Sequence, residues 1–516
     1  MRPLPHALTG LALAGLALAS SAQDPVLTRG GGAFPGDLTW QLDAGPAKAG
    51  ATYGIVVGLS EAPGQPLPGV TMDVDLTFLG LTFTTPGLFG ALDGAGQAAA
   101  AVPLPGPWFV GQTISAQALV DPGAPTVSNL TRTTPALPGT FAPTLGAPVL
   151  PIAGGIALPD AANPGDVLLA GGSGLIPQRY RDELEEFETA GLTFGVGLLS
   201  TSTALADGRV LFTGGLDLTG APTADAAIWD PATGTTTSLT MGTPRAGHAA
   251  TLMTDGRVMV TGGFENVTID LSQVLTNPLS LLGVFGGMLA STEFFDPGTG
   301  TFGPGPGMLE ARALHTATAM PGGEVLVAGG MTLLPIVNLP TVSNTAYTYN
   351  PTLGLFGLPS LFTGPRLLHS AIAQPDGSVL LVGGLSIDLA EVIATGDLSK
   401  LVIGARDDIV RYKEGIFFGG WDDVGTMSEP RAGAGLALLP SGDVLAAGGF
   451  QLNLSSDLTS LDLGTTASAD VYRDGVGVSP TGAMGSARFL PLVASLVDGT
   501  VLILAGGGAG AEVYQP

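Results

Sequence analysis

Short apolar runs of four or five residues, each closed by a pair of glycines, recur along the last two-thirds of the chain, and the clearest copy starts at Arg245. There Arg245 and His248 precede a small, apolar run, Asp255-Gly256 makes a turn, Arg257–Val260 forms a second run, and Gly262-Gly263 ends it. An aromatic segment, Glu293-Phe294-Phe295, comes next, then Asp296-Pro297-Gly298-Thr299-Gly300 and Thr301-Phe302. Brief β runs bounded by turn residues read as one antiparallel, four-stranded meander. Such a unit has two apolar faces and needs neighbours of its own kind to bury them.

The pattern repeats in phase. Glycine pairs stand at Gly171-Gly172, Gly214-Gly215, Gly262-Gly263, Gly329-Gly330, Gly383-Gly384, Gly448-Gly449 and Gly506-Gly507. Turns such as Asp207-Gly208, Gly322-Gly323, Asp376-Gly377 and Asp498-Gly499 precede them, and both residues of such dipeptides tolerate positive φ. Aromatic third strands follow at Trp229, Phe295, Tyr349, Tyr412, Tyr472 and Tyr514, and Arg245, Arg312, Arg366, Arg431 and Arg488 start their units. This array resembles the Kelch-repeat β-propellers, including the galactose-oxidase-like central domain, over roughly residues 139–516.

The last copy, Arg488–Pro516, supplies three strands, whereas Thr140–Thr144 looks like a fourth strand without its first three. Pairing the two closes a ring and leaves only short, protected sheet edges. The expected fold is therefore all-β: a seven-bladed Kelch-like propeller over 139–516, with first strands near Val149, Ser202, Ala246, Ala313, Leu367, Ala432 and Phe489. Six blades follow if a terminal copy is degenerate.

Ahead of the repeats, residues 23–121 carry short apolar runs between Pro/Gly turns, and their spacing suits a small immunoglobulin-like β-sandwich. Residues 122–138, rich in Pro, Thr and Ala, read as a linker. Within the repeats, four second-to-third connections are long: Phe264–Ala290, Met331–Asn344, Leu385–Arg406 and Phe450–Ser468. Strands of a meander alternate in direction, so these insertions share a face with the Arg/His positions, and loops on a rigid scaffold are common binding surfaces. Apolar spacing of i, i+3, i+4 in Asp270–Leu275 and Asp388–Ile393 predicts a short helix in each. Packed together, the insertions roof the channel; left apart, they form an apolar rim for a partner.

Composition narrows the function. The 43 acidic against 18 basic residues give a net charge of −25, without the basic footprint of a nucleic-acid binder. Met1–Ala22 has a basic start, an apolar run and small residues before Gln23, the form of a secretory signal peptide. No later apolar run reaches the roughly 20 residues of a membrane span. With 0 Cys there is no disulfide framework and no thiolate metal site. The expected location is secreted, periplasmic or at the cell surface.

The candidate binding residues on the loop and funnel face are Arg245, His248, Arg312, His315, Arg366, His369 and Arg431. Each His stands three residues after an Arg, so the three lie on a ring about the axis and do not converge as metal ligands need to. Hydrogen bonding between blades is the structural alternative for His, and blade-to-blade pairing the alternative for Arg. Resemblance to galactose oxidase would imply a copper site with a thioether-modified tyrosine, which requires a cysteine this chain lacks. No metal, cofactor or catalytic residue is expected, and no hydrolase elbow, zinc-helix motif or phosphate loop is found. Trp229 and Trp421 suit sugar stacking, but Trp229 holds the position of a core aromatic. The function expected is non-catalytic binding of a protein or glycan through the long-loop face; the alternative is a carbohydrate-active enzyme of the mutarotase or lyase kind.

Overall fold

The computed structural model describes residues 25–516 apart from several internal stretches, chiefly 32–36, 75–81, 104–111, 145–154, 171–176, 191–196, 267–286, 334–339, most of 389–399, 455–460 and 505–509. The signal-peptide segment and the helix expected at Asp270–Leu275 lie outside the described residues.

The chain divides into two compact units. The first consists of the described residues up to Arg29 with Thr39–Val102 and Ile114–Thr131; the second contains Arg132–Pro516. In the first, strands Thr52–Gly58 and Ile114–Val120 pair antiparallel, and Trp40, Ile55, Ala116 and Ala118 are buried. The expected linker differs from what is seen. Thr126–Val127 and Thr131–Thr133 both pair with Ile114–Val120, because alternate backbone groups there find a sheet edge to bond to.

In the second unit the repeats become seven four-stranded antiparallel sheets among the described residues. Sheet I is formed by Ile156–Pro159, Val167–Ala170, Gln178–Arg181 and Glu186–Thr189. Sheet II comprises Thr201–Ala204, Val210–Thr213, Asp225–Asp230 and Thr235–Thr240. Sheet III has Ala249–Leu252, Val258–Thr261, Thr292–Asp296 and Thr301–Pro304. In sheet IV, Thr316–Ala319, Val325–Ala328 and Thr345–Asn350 are followed by an outer strand in two pieces, Leu355–Phe356 and Ser360–Leu361. Sheet V runs Ser370–Ala373, Val379–Val382, Asp408–Lys413, Gly420–Thr426, and sheet VI Gly435–Leu438, Val444–Ala447, Ala469–Arg473, Gly477–Pro480.

Sheet VII joins Leu492–Ser495, Val501–Leu504 and Glu512–Gln515 to Thr140–Pro143, with Thr140 opposite Gln515 and Pro143 opposite Glu512. The borrowed strand is held by more than its ladder. Phe141 packs on Tyr514 with ring centroids 5.0 Å apart, and the Gly139 carbonyl accepts from Thr481 Oγ1 at 2.6 Å.

Every second strand is buried along its whole length, since it lies between two other strands of its own sheet and between two neighbouring sheets. Apolar clusters fill each gap in turn. Leu168, Phe212 and Trp229 lie between sheets I and II, Met259, Val325 and Tyr349 between III and IV, and Leu169, Tyr180, Leu502 and Val513 between VII and I. The first strands neighbour one another in chain order, and that of sheet VII lies against that of sheet I. A wheel of sheets around a channel, a β-propeller, is the result.

Next to the sheets, three of the insertions form strand pairs at their described residues. Met331–Leu333 pairs with Pro340–Val342, Leu385–Asp388 with Val402–Ala405, and Phe450–Leu454 with Leu461–Thr465, giving three two-stranded ribbons. Asp388 ends a strand instead of starting the expected helix, and residues 389–394 lie outside the described residues.

Candidate functional site

Each insertion begins by pairing with the residue after a unit's arginine: Ala246 with Phe264, Ala313 with Met331, Leu367 with Leu385, Ala432 with Phe450. Seven of these residues, from Phe264 to Phe450, are buried with Val342 in a single apolar layer. The neighbouring ribbons of sheets IV, V and VI also lie side by side. The bases of the insertions therefore pack together on the face that carries the starts of the first strands.

All four candidate arginines, and Arg488, are fully buried. Arg245 donates from Nη1 to the Gly262 carbonyl at 2.8 Å, and from Nε and Nη2 to Glu293 Oε1 at 3.2 and 3.0 Å. Arg431 reaches Asp470 Oδ2 at 2.7 Å and the Ser468 carbonyl at 2.7 Å, and Arg488 reaches Glu512 Oε1 at 2.5 Å. Glu293, Asp470 and Glu512 stand two residues before the third-strand aromatic of their own sheets. Sheet IV has Tyr347 at that place, so Arg312 stacks over its ring at 4.8 Å and pairs with Glu310 at 3.1 Å. In sheet V the place is Val410, and Asp408 substitutes, 2.6 Å from Arg366. Burial works against the Asp408 charge, yet Arg406 and Arg366 hold its carboxyl below the ordinary range.

These side chains tie a first strand to the third strand of the same sheet, which corrects the expected blade-to-blade pairing. The arginine's carbonyl makes the link between sheets. Gly263 N–H donates to the Arg312 carbonyl at 2.8 Å, and Gly215, Gly330, Gly384 and Gly449 repeat the bond to Arg245, Arg366, Arg431 and Arg488. Close approach explains the glycine pair: Gly262 has φ +59°, and a Cβ there would come within 2.8 Å of His315 Cε1.

The histidines do link sheets, as expected of the structural alternative, through threonine hydroxyls. His248 Nε2 is 2.9 Å from Thr213 Oγ1 and 3.0 Å from Thr201 Oγ1, His315 Nε2 is 2.8 Å from Thr261 Oγ1, and His369 Nε2 is 2.8 Å from Thr316 Oγ1. Burial, then the nearby Arg245 and Arg366 charges, pushes His248 and His369 down to about 3, and burial with Arg312 pushes His315 well below its ordinary value. All three are neutral at physiological pH.

Neutral buried imidazoles make stability depend on acid. The unfolded chain takes up these protons near pH 6.5 and the folded chain only near 3, so stability is full above 6.5 and falls as pH drops below it. Asp166, raised to about 6 by burial, opposes this below its own folded value. His369→Gln is expected to flatten the slope of unfolding free energy between pH 6 and 4.5 by about 1.4 kcal/mol per pH unit, read from denaturant midpoints at stepped pH. An unchanged slope would mean that His369 is not held neutral.

Residue types alone gave little warning of the backbone two residues past each unit arginine and at the corresponding Leu199. Leu199, Leu314, Leu368 and Leu490 have φ of +61°, +54°, +51° and +45°, and Gly247 and Gly433 share this left-handed conformation. Side chains rarely adopt it, so the surroundings must over-determine it. They do so with a belt of backbone bonds running from sheet to sheet: Gly247 N–H to Leu199, Leu314 to Gly247, Leu368 to Leu314 and Gly433 to Leu368, at 2.8 to 3.1 Å. The two glycines in this series were the available signal.

The belt surrounds the mouth of the channel, a cavity of about 460 Å³. His248, His315 and His369 line it with Ser200, Thr201, Ser370 and the four leucines; none of the candidate arginines does. No Asp, Glu, Lys or Arg is among these lining residues. The surface offers hydroxyls and neutral imidazoles, suited to contact with neutral polar groups. Among the described residues, no group of three or more His, Asp or Glu is placed to hold a metal ion. Trp229 is core, fully buried between sheets I and II.

The chain is similar to a solved structure titled "Structure of YjhT", with a TM-score of 0.49 and 16% identity, covering 65% of this chain and 98% of that one. No family model matches the sequence, and no curated protein matches it.

Proposed function

We propose that this is an exported, non-catalytic binding protein of the Kelch-repeat kind, which takes a protein or glycan partner on the face carrying the long insertions. The observation that carries the reading is the lopsided build of the wheel. The insertions are anchored beside the first strands on one face, their bases sealed in a common apolar layer. Rigidly based loops of this sort can present a surface without collapsing the scaffold. The enzyme reading has less support, because the channel-mouth histidines are neutral and the candidate arginines are occupied within their sheets. A carbohydrate-active centre would need an acid or base poised for proton transfer.

A glycan array probed with the full chain tests this. Binding is expected for the intact protein and is expected to vanish when the four insertions are shortened to their paired bases, the fold being retained. Glycan binding that survives all four truncations would remove the loop face from consideration.

A further inference from the structure

The repeats act as internal controls for one another, and sheet IV departs from sheets II and III at its outer rim. Sheets II, III and IV share a five-residue turn before the outermost strand, closed by Gly234, Gly300 and Gly354 with φ of +68°, +69° and +68°. In the first two, threonines on either side of that glycine bond to each other: Thr233 to Thr235, and Thr299 to Thr301, both at 2.8 Å. In sheet IV the same two positions are Leu353 and Leu355, 67% and 50% exposed. The backbone turn is unchanged, so folding does not call for leucine there.

Two further leucines extend the patch. Leu358 and Leu361 are 71% and 67% exposed, and the outer strand is interrupted between its two pieces. Solvent-facing outer strands elsewhere are polar, as in Thr235–Thr240, which limits edge-to-edge association. Leu353, Leu355 and Leu358 border a groove of about 430 Å³ between sheets IV and V, lined also by Tyr412, Glu414 and Glu324. No Lys or Arg is among its lining residues. Burial, and then the charge of Glu324, raises the Glu414 carboxyl above its ordinary value, as expected of a carboxylate without a cation beside it.

We infer that this outer groove is a second docking site, which takes an extended peptide segment bearing apolar side chains and at least one Lys or Arg. The apolar side chains cover Leu353, Leu355 and Leu358, and the cation meets Glu324 and Glu414. An extended segment suits a shallow channel running along a strand edge. The site is independent of the insertion face.

The test uses a fluorescein-labelled peptide of alternating Val and Lys, its Val/Glu twin, and the full-length protein with its Leu353→Thr/Leu355→Thr and Glu414→Gln variants. The threonines restore what sheets II and III carry, so circular dichroism and thermal midpoints are expected to match the parent. They also leave the net charge intact, so unspecific attraction to an acidic protein persists in the leucine variant and only docked binding is lost. Anisotropy titrations are expected to show binding of the Val/Lys peptide, weakened about tenfold or more by the double leucine change, and weakened also by Glu414→Gln. The Val/Glu twin is expected not to bind. No binding of the Val/Lys peptide, equal binding by parent and leucine variant, or equal binding of the twin would overturn the proposal. So would sedimentation showing a parental dimer that Leu353→Thr/Leu355→Thr converts to monomer, since the occupant would then be a second copy.

Discussion

Asp470→Ala is expected to destabilise the repeat unit by about 3–5 kcal/mol, the usual effect of stranding one member of a buried ion pair. Arg431 and Asp470 are 0% and 1% exposed, and their 2.7 Å contact joins the first and third strands of sheet VI. The carboxylate also accepts from the Ser428 backbone N–H at 3.0 Å and from Ser428 Oγ at 2.9 Å. Removing it leaves a guanidinium in a dry interior without its buried carboxylate, although the Ser468 carbonyl and hydroxyl still accept from it. An internal comparison is available in Asp255 and Arg257, paired at 2.7 Å with side chains 39% and 37% exposed. Asp255→Ala is expected to change stability by less than about 1 kcal/mol, because water screens the pair and replaces it readily. Denaturant unfolding followed by tryptophan fluorescence measures both. Similar losses for the two variants would show that the unit arginines are not held by buried ion pairs.

The second large effect is expected from deleting Thr140–Pro143. Four residues leave, yet sheet VII is deprived of its outermost strand and the neighbouring ladder groups of Glu512–Gln515 are exposed. Net hydrogen-bond contributions are about 1 kcal/mol each, and the packing of Phe141 on Tyr514 goes as well. Destabilisation of about 4 kcal/mol or more is expected from the two together. A bare strand edge also templates pairing with other chains, so the deleted protein is expected to self-associate on size-exclusion chromatography. A monodisperse product with parental stability would mean that this strand contributes nothing to closure.

Much of the wheel is legible in the residues themselves. Glycine pairs, Asp-Gly turns and aromatic third strands mark positions where backbone geometry admits few alternatives, and an early fourth strand without companions points to its place in sheet VII. The features that stay hidden have a common cause in periodicity. An arginine recurring in every unit has acids within reach of the chain both in its own unit and in the adjacent ones, and sequence separation does not rank them. Spacing therefore cannot tell that Arg245 turns to Glu293 while its carbonyl bonds Gly215. Recurrence does reveal the histidines as a ring and as links between units. It does not reveal their partners, because a threonine hydroxyl on a neighbouring strand leaves no local trace.

The ribbons at the bases of the insertions stay hidden for a different reason. Short apolar segments have no decisive period, so the edge pairing of Leu385–Asp388 with Val402–Ala405 leaves no mark that residue spacing alone can read. The left-handed leucines are invisible because leucine carries no signal for positive φ. Only Gly247 and Gly433 hint at it, by comparison among copies.

The wheel underlies the reading of the insertion face, which takes the sheets to stand in one closed ring. With 0 native cysteines, Thr140→Cys/Gln515→Cys offers a clean probe of that closure. Directly opposed residues of an antiparallel pair have Cα atoms about 4.5–5.5 Å apart, within disulfide reach. Mild oxidation is expected to cross-link the pair nearly completely in the folded protein, while Thr140→Cys/Ser495→Cys, which spans the full width of sheet VII, stays reduced. Failure of the first pair to cross-link, or equal cross-linking of the second, would contradict a ring sealed by the strand from residues 140–143.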